Sequence, residues 1–347
     1  MSSDRDLTVA ADRLRDWFAR GSARDDVQIH ALDRISGGGY SGDLLMGQAS
    51  WRIDGRKHDQ GFVVRIEPTP DYQLFLDTNF EAQYRVLDVL HDKSTVPVPA
   101  TLGFEEDPEV LGSRFYVMDR VSGSPGLIGR PWIDAIKDQG RDTVWPLWWK
   151  GLEAMAQLHR VDIEEVGLTS LYQPRRGEDA LDQQLHYYRE YYNWVRGGVD
   201  YPAIEEAFAW LTLHKPQGTP TSILWGDARR GNQMFTDTFE CTGLLDFEMV
   251  ALGPAEADLG WWLYTTEVEL HEPMENWCPT TDETVSAYGK MLGRDAQNMN
   301  IEYYLVLAAL KVATLMIKLQ ELRGGNVDGF EKTGNTDGLT RAMQRFT

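Results

Sequence analysis

Ile223-Leu224-Trp225-Gly226-Asp227-Ala228-Arg229-Arg230-Gly231-Asn232-Gln233-Met234-Phe235 carries more chemical information than any other stretch of the chain. Three apolar residues run into a glycine, so Asp227 is expected where a buried strand opens into a polar loop, which presents a carboxylate on a rigid support. Asn232 follows in the same loop. Gln233 to Phe235, a turn over 236–240 and the apolar run Cys241 to Leu245 read as a hairpin that returns Asp246 to the loop. A carboxylate so placed can accept a proton from an attacking hydroxyl. An amide oxygen and a second carboxylate are hard ligands of the kind Mg2+ takes when it also binds phosphate oxygens. Each residue alone reads as readily as a turn or cap residue. Together they point to phosphoryl transfer, with Asp227 as base and Asn232 and Asp246 as metal ligands.

Working outward, Trp225-Gly226-Asp227-x-x-x-x-Asn232 is followed by Leu245-Asp246-Phe247-Glu248, Gly253 and Asp258-Leu259-Gly260. In order and spacing this resembles the aminoglycoside phosphotransferase and choline kinase-like family, whose loop reads His-Gly-Asp-x-x-x-x-Asn. Trp225 stands where that family has His, which should change the bracing of the loop and leave the Asp-Asn pair intact. The resemblance covers roughly residues 30 to 320. It implies a protein-kinase-like bilobal α+β fold, with a small N-terminal lobe built on an antiparallel sheet and a larger, mostly helical C-terminal lobe. It also implies ATP and Mg2+ as cofactors and a small-molecule hydroxyl as acceptor. Asp258 would hold the catalytic loop. Arg229 and Arg230 would stabilise charge on the transferred group or pair with surface acids, and Arg229 is placed with Asp227 in the catalytic set.

Upstream, Ser36-Gly37-Gly38-Gly39-Tyr40-Ser41-Gly42 fits G-x-G-x-x-G through Gly37, Gly39 and Gly42. A Rossmann turn would open a helix, and a Walker loop would continue with Lys and Ser or Thr. Here Asp43 to Met46, Ala49 to Ile53 and Phe62 to Ile66 read as successive strands with a turn near Asp54-Gly55. A phosphate-covering loop between strands, with Gly37, Gly39, Ser41 and Gly42 at the nucleotide, fits best. Arg65 occupies the position of the phosphate-binding lysine of kinases, and a helix over Leu74–His91 should supply its acidic partner. Glu81 is the choice, with Gln83 as rival. Phe115 to Met118 reads as a strand entering a hinge, and the family resemblance implies that Met118, Asp119 and Val121 there read the adenine edge. The expected lobes are 1–120 and 121–347.

The remaining elements are helical by spacing: Asp6–Arg20, Leu147–His159, Gln183–Trp194, Ile204–Leu213, Val285–Leu292 and Tyr303–Leu319. His159 reads as a helix-terminal cap, and the Gly-, Asn- and Thr-rich tail after Gly324 reads as partly mobile. A chain of 347 residues has room for two cores. Its net charge of -20 argues against nucleic acid or an anionic membrane surface as partner. It weakly favours a cationic acceptor, a bias to which Glu267, Glu269, Glu272 and Glu275 add. Two cysteines, no signal-like N-terminus and no uninterrupted apolar run of membrane length suit a cytoplasmic enzyme. Two other functions use parts of the same equipment. A catalytically silent nucleotide-binding scaffold would explain Trp225 and Arg65, and a Mg2+-dependent phosphohydrolase would use similar carboxylates but leave the Gly loop unexplained.

Overall fold

The computed structural model describes residues 5–20, 24–35, 43–125, 141–269, 278–324 and 334–346. The chain divides into two compact units, one of residues 1–91 and 99–121, the other of 92–98 and 122–347.

In the first unit, helix α1 (Leu7–Ala19) is capped by Asp6, whose carboxylate accepts the N–H of Thr8. Its buried stripe of Ala10, Leu14 and Phe18 covers one face of a five-stranded antiparallel sheet. The strands are β1 (Asp25–Arg34), β2 (Asp43–Ile53), β3 (Arg56–Ile66), β4 (Thr101–Glu105) and β5 (Phe115–Asp119), in the order β1-β2-β3-β5-β4. Phe62, Val64 and Ile66 of β3 join Phe115 and Val117 of β5 in the core under α1. By the alternation of a strand, Arg65 and its cross-strand neighbour Tyr116 belong to the opposite face. There helix α2 (Phe80–Lys93) sets the ring of Phe80 5.2 Å from that of Tyr116.

Several expected boundaries move, each for a local reason. The two strands read over Asp43–Met46 and Ala49–Ile53 are one, paired with β3 from Asp43–Ile66 to Ile53–Arg56. Gly47, which reads as an interruption, makes room for an aromatic ring, since a Cβ there would lie 2.3 Å from Cζ of Phe62. Strand β3 likewise starts at Arg56, because the Asp54-Gly55 hairpin pairs its backbone through polar residues that stay exposed. The helix read from Leu74 begins only at Phe80. The amide of Gln73 captures the carbonyls of Phe75 and Leu76, and Asn79 sits in the left-handed region at φ 46, through which a helix does not run.

The second unit contains helices α3 (Arg141–His159), α4 (Ala180–Val195), α5 (Pro202–Leu213), α6 (Ala255–Glu269), α7 (Thr281–Leu292), α8 (Ile301–Leu322) and α9 (Gly334–Gln344). Between them lie short antiparallel strands: β6 (Ser124–Pro125), β7 (Thr221–Leu224), β8 (Gln233–Phe235), β9 (Cys241–Leu244) and β10 (Ala251–Pro254), joined as β6-β8-β9 and β7-β10. Helix α8 packs on α4, α5, α6 and α9. Within the tail, Leu339, Ala342 and Met343 of α9 recur at helical spacing and are buried. Among the described residues no helix is long and apolar enough to cross a membrane.

Candidate active site

Strand β7 ends in a fully buried corner. The carboxylate of Asp258, in the first turn of α6, accepts the backbone N–H of Trp225 on Oδ2 at 2.7 Å and that of Gly226 on Oδ1 at 3.0 Å. Gly226 has φ +90, and a Cβ would fall 2.1 Å from the carbonyl oxygen of Met249, so only glycine turns the chain here. Nε2 of His159 bonds Asp258 Oδ2 at 3.0 Å and Nδ1 meets the Tyr288 hydroxyl at 2.5 Å. His159 ends α3, as expected, and both its ring nitrogens are used inside the core. Burial, then the charges of Asp258 and Glu256, hold the Tyr288 hydroxyl well above its ordinary pKa. Trp225, in the position of the family histidine, is buried and donates its indole N–H to the Leu245 carbonyl at 2.7 Å. The substitution ties the Asp227 loop to the segment that carries Asp246.

One residue past Gly226, the Asp227 carboxylate receives four hydrogen bonds. Oδ1 accepts from Arg229 Nε at 2.8 Å and from Trp261 Nε1 at 2.9 Å; Oδ2 accepts from Arg229 Nη2 and Asn232 Nδ2, each at 2.8 Å. Only 6% of Asp227 is exposed. Asn232 also gives its amide to the Asp227 carbonyl at 3.1 Å, which turns the Asn232 side-chain oxygen away from that carboxylate. The Leu245 N–H donates to the Asn232 carbonyl at 2.8 Å and β8 pairs with β9, so the expected hairpin forms and Asp246 follows directly on the residue bonded to Asn232. Asp246 has φ 62, a left-handed geometry that directs the chain out of β9.

Among the described residues no group of three or more His, Cys, Asp and Glu could hold a metal unaided. The oxygens of Asn232 and Asp246 suit Mg2+ that takes its remaining ligands from phosphate and water. The amide orientation of Asn232, with its N–H groups committed to Asp227, fits that use.

Arg229 is also bonded to Glu269 at 3.1 Å, at the end of α6. Burial disfavours its charge, but Asp227 and then Glu269 more than offset this, and its pKa rises. Arg230 is buried above the Trp148 ring, 5.7 Å from its centroid, with Glu269 at 3.5 Å; burial outweighs its charge partners and lowers its pKa. It is therefore not the exposed loop arginine that composition suggested. Three participants were missed in the sequence. Trp261 lies one helical turn beyond Asp258, a spacing that puts both on one face of α6. Glu269 closes the same helix. Lys311 is a buried lysine inside an apolar helix, and that anomaly was its only signal.

In the first unit, Gly37, Gly39, Ser41 and Gly42 lie outside the described residues, as do Glu272 and Glu275 in the second. Arg65 is buried at the C-terminal end of β3. The later start of α2 leaves Glu81 exposed in its first turn, where it adds to the charge felt by Arg114, whose guanidinium is bonded to Glu67. Gln83 takes the inward position, donating to the Thr78 carbonyl at 2.8 Å and accepting from the Tyr116 hydroxyl at 3.5 Å. It therefore sits beside Tyr116, the cross-strand neighbour of Arg65. Met118 and Asp119 belong to β5 itself. The N–H groups of Asp119 and Arg120 donate to the carbonyls of Ala100 and Gly61, while Gln60 donates to the Asp119 carboxylate at 2.8 Å. Burial raises the Asp119 pKa, with His91 opposing. Val121 is the last residue of the first unit.

This loop, its hairpin and its bracing aspartate are the parts of a kinase-like phosphotransferase. The profile of the phosphotransferase enzyme family matches residues 47–295, and the chain belongs to that family. A provisionally assigned aminoglycoside phosphotransferase from Ralstonia eutropha JMP134 superimposes with TM-score 0.67 at 21% identity, over 96% of this chain and 94% of that one. A thermostable aminoglycoside phosphotransferase mutant in ternary complex with AMP-PNP and hygromycin B gives TM-score 0.59 at 13% identity, over 96% and 98% of the two chains. At these identities the likeness shows the fold, which is the kinase-like α+β arrangement. Acyl-CoA dehydrogenase family member 11 of Gallus gallus is 26% identical over 74% of this chain. The match covers 33% of that protein, and a match to member 10 of Mus musculus covers 16% of its length. The chain thus spans a third or less of these relatives.

Proposed function

We propose that the protein is an ATP-dependent phosphotransferase that moves the γ-phosphoryl group to the hydroxyl of a small molecule, aminoglycoside-like or another alcohol. The observation that carries this reading is the Asp227 carboxylate, held by Arg229, Asn232 and Trp261 on a corner fixed by Asp258. Asp227 orients the acceptor hydroxyl and takes its proton as the new O–P bond forms and the bond to the β-phosphate oxygen breaks, its electron pair leaving with ADP. Mg2+ held by Asn232 and Asp246 would neutralise charge on the phosphate oxygens. Arg229 supplies two of the four hydrogen bonds on the Asp227 carboxylate, so its release opens that carboxylate to the acceptor. Released, its guanidinium can meet the transferred phosphoryl group, and Glu269 guides it there.

In the first unit, Arg65 contacts the phosphates bidentately, and Gly37, Gly39, Ser41 and Gly42 belong to the nucleotide site. With the N–H of Asp119 and of Arg120 engaged, the N–H of Val121 is the hinge donor for an adenine edge, beside Met118. The chain acts as a cytoplasmic enzyme on a soluble acceptor.

Transfer of labelled phosphate from ATP to a panel of amino sugars, macrolides, amino alcohols, sugars and hydroxylated acids tests the reading. A labelled product in wild type that is lost in Asp227→Asn supports it. Release of free phosphate from phosphomonoesters without ATP would instead favour a phosphohydrolase.

A further inference from the structure

Lys311 belongs to no part of the phosphotransfer scheme, yet it is built into the support of Asp227. It lies on α8 and is only 3% exposed. Its ammonium nitrogen is 4.6 Å from the ring centroid of Trp261 on α6 and 5.2 Å from that of Tyr188 on α4, distances at which a cation is held by an aromatic face. The same Trp261 ring gives its Nε1–H to Asp227 Oδ1 at 2.9 Å. One indole therefore has the lysine cation on its face and the carboxylate on its edge. A cation on the face of an indole draws density from the ring and makes the N–H a stronger donor, so the two contacts reinforce each other.

Among the described residues the ionisable groups around the ammonium are few. Asp258 of α6 and Asp227 are its counter-charges, and Tyr188 of α4 is the third. Burial lowers the Lys311 pKa to about 8, with Asp258 and then Asp227 opposing. The Tyr188 hydroxyl is pushed well above its ordinary value, by burial first and then by Tyr187, Tyr191 and these carboxylates, so it stays neutral where Lys311 titrates. A methionine would fill the cage without the desolvation of a charge, so packing alone gives no reason for a lysine here.

We propose that Lys311 is a positioning residue for Asp227: its ammonium, set against the face of Trp261, strengthens the hydrogen bond by which Trp261 holds the carboxylate. Its consequence for catalysis rests on the phosphotransferase reading. If Arg229 moves to the phosphoryl group, the Trp261 bond is what keeps Oδ1 in place while Oδ2 meets the acceptor.

The Trp261 indole resonance of 15N-labelled, nucleotide-free protein, assigned by its loss in Trp261→Phe, reads the bond directly. In wild type the Nε1–H peak moves upfield as pH rises, with a midpoint near 8. In Lys311→Met it lies at the alkaline position at every pH and exchanges with solvent at least tenfold faster. Lys311→Arg keeps the neutral-pH position and loses the titration near pH 8. The Trp225 Nε1–H, bonded to Leu245, stays unchanged in both variants and certifies a folded loop. A Trp261 peak with the same position and exchange rate in wild type and Lys311→Met overturns the proposal. No nucleotide or acceptor is present, so that failure would leave the phosphotransferase reading standing.

Discussion

Loop 225–232 and strand β3 each carry an arginine proposed to meet phosphate, but the two are fixed from different distances along the chain. Nearly every contact that sets the Asp227 loop comes from residues 225–269: Asn232, Leu245, Asp258, Trp261 and Glu269. The setting of Arg65 depends instead on β5, through Tyr116, and on the phase of α2, which Gln73 and Asn79 decide from outside the helix. A brace written locally survives the replacement of one member, as Trp225 shows in the position of a histidine. A setting that depends on where a distant helix begins is harder to read: in α2 it is Gln83 that turns inward, while Glu81 is exposed.

The difference can be broken or sharpened by substitution. Asp227→Asn should lower phosphotransfer on the order of 10³-fold, about 4 kcal/mol of barrier, in steady-state turnover, with secondary structure retained. Equal activity in the two proteins would remove Asp227 as base. Asp258→Ala strands the N–H groups of Trp225 and Gly226 and the ring of His159 inside the core, so urea unfolding should report a loss of about 3 kcal/mol. A loss below about 1 kcal/mol would mean the loop is braced elsewhere. Gly226→Ala meets both the positive φ and the Met249 carbonyl, for about 2 kcal/mol by the same assay.

Lys311 adds a pH signature to the second unit. Its folded pKa of about 8 lies below its ordinary 10.5, so between these values the unfolded chain binds more protons and stability rises with pH. The slope of unfolding free energy over pH 8–10 should be shallower in Lys311→Met, and an unchanged slope would assign it to other groups. At the bottom of the scale, Glu81→Ala should change stability by no more than about 0.5 kcal/mol, since the side chain is exposed. Gln83→Ala should cost more. The reverse order would restore Glu81 as the structural residue of α2.

What could be read in advance follows the same division. The order strand, Asp227 loop, hairpin, Asp246, Asp258 is contiguous, and its spacing alone brings the groups together. Trp261 was visible in principle, one turn from Asp258 on the same helix. Lys311 and His159 reach the site from helices α8 and α3, and only tertiary packing puts them there. In the first unit, residue patterns located the sheet and the Asp54-Gly55 turn. They misplaced the start of α2, because side-chain capture of the Phe75 and Leu76 carbonyls by Gln73 leaves no periodic trace. Strand β2 was cut in two because a glycine that accommodates Phe62 looks like a glycine that breaks a strand.

Thermal unfolding with ATP, Mg2+ or both, in wild type and in Asp246→Ala, tests the central claim most directly. A ligand at about 100 times its dissociation constant adds roughly 2.7 kcal/mol of stability. The account predicts a rise in wild type that needs both components and disappears in Asp246→Ala. No rise in wild type at saturating MgATP, or an equal rise in the variant, would contradict the metal-nucleotide site placed at Asn232 and Asp246.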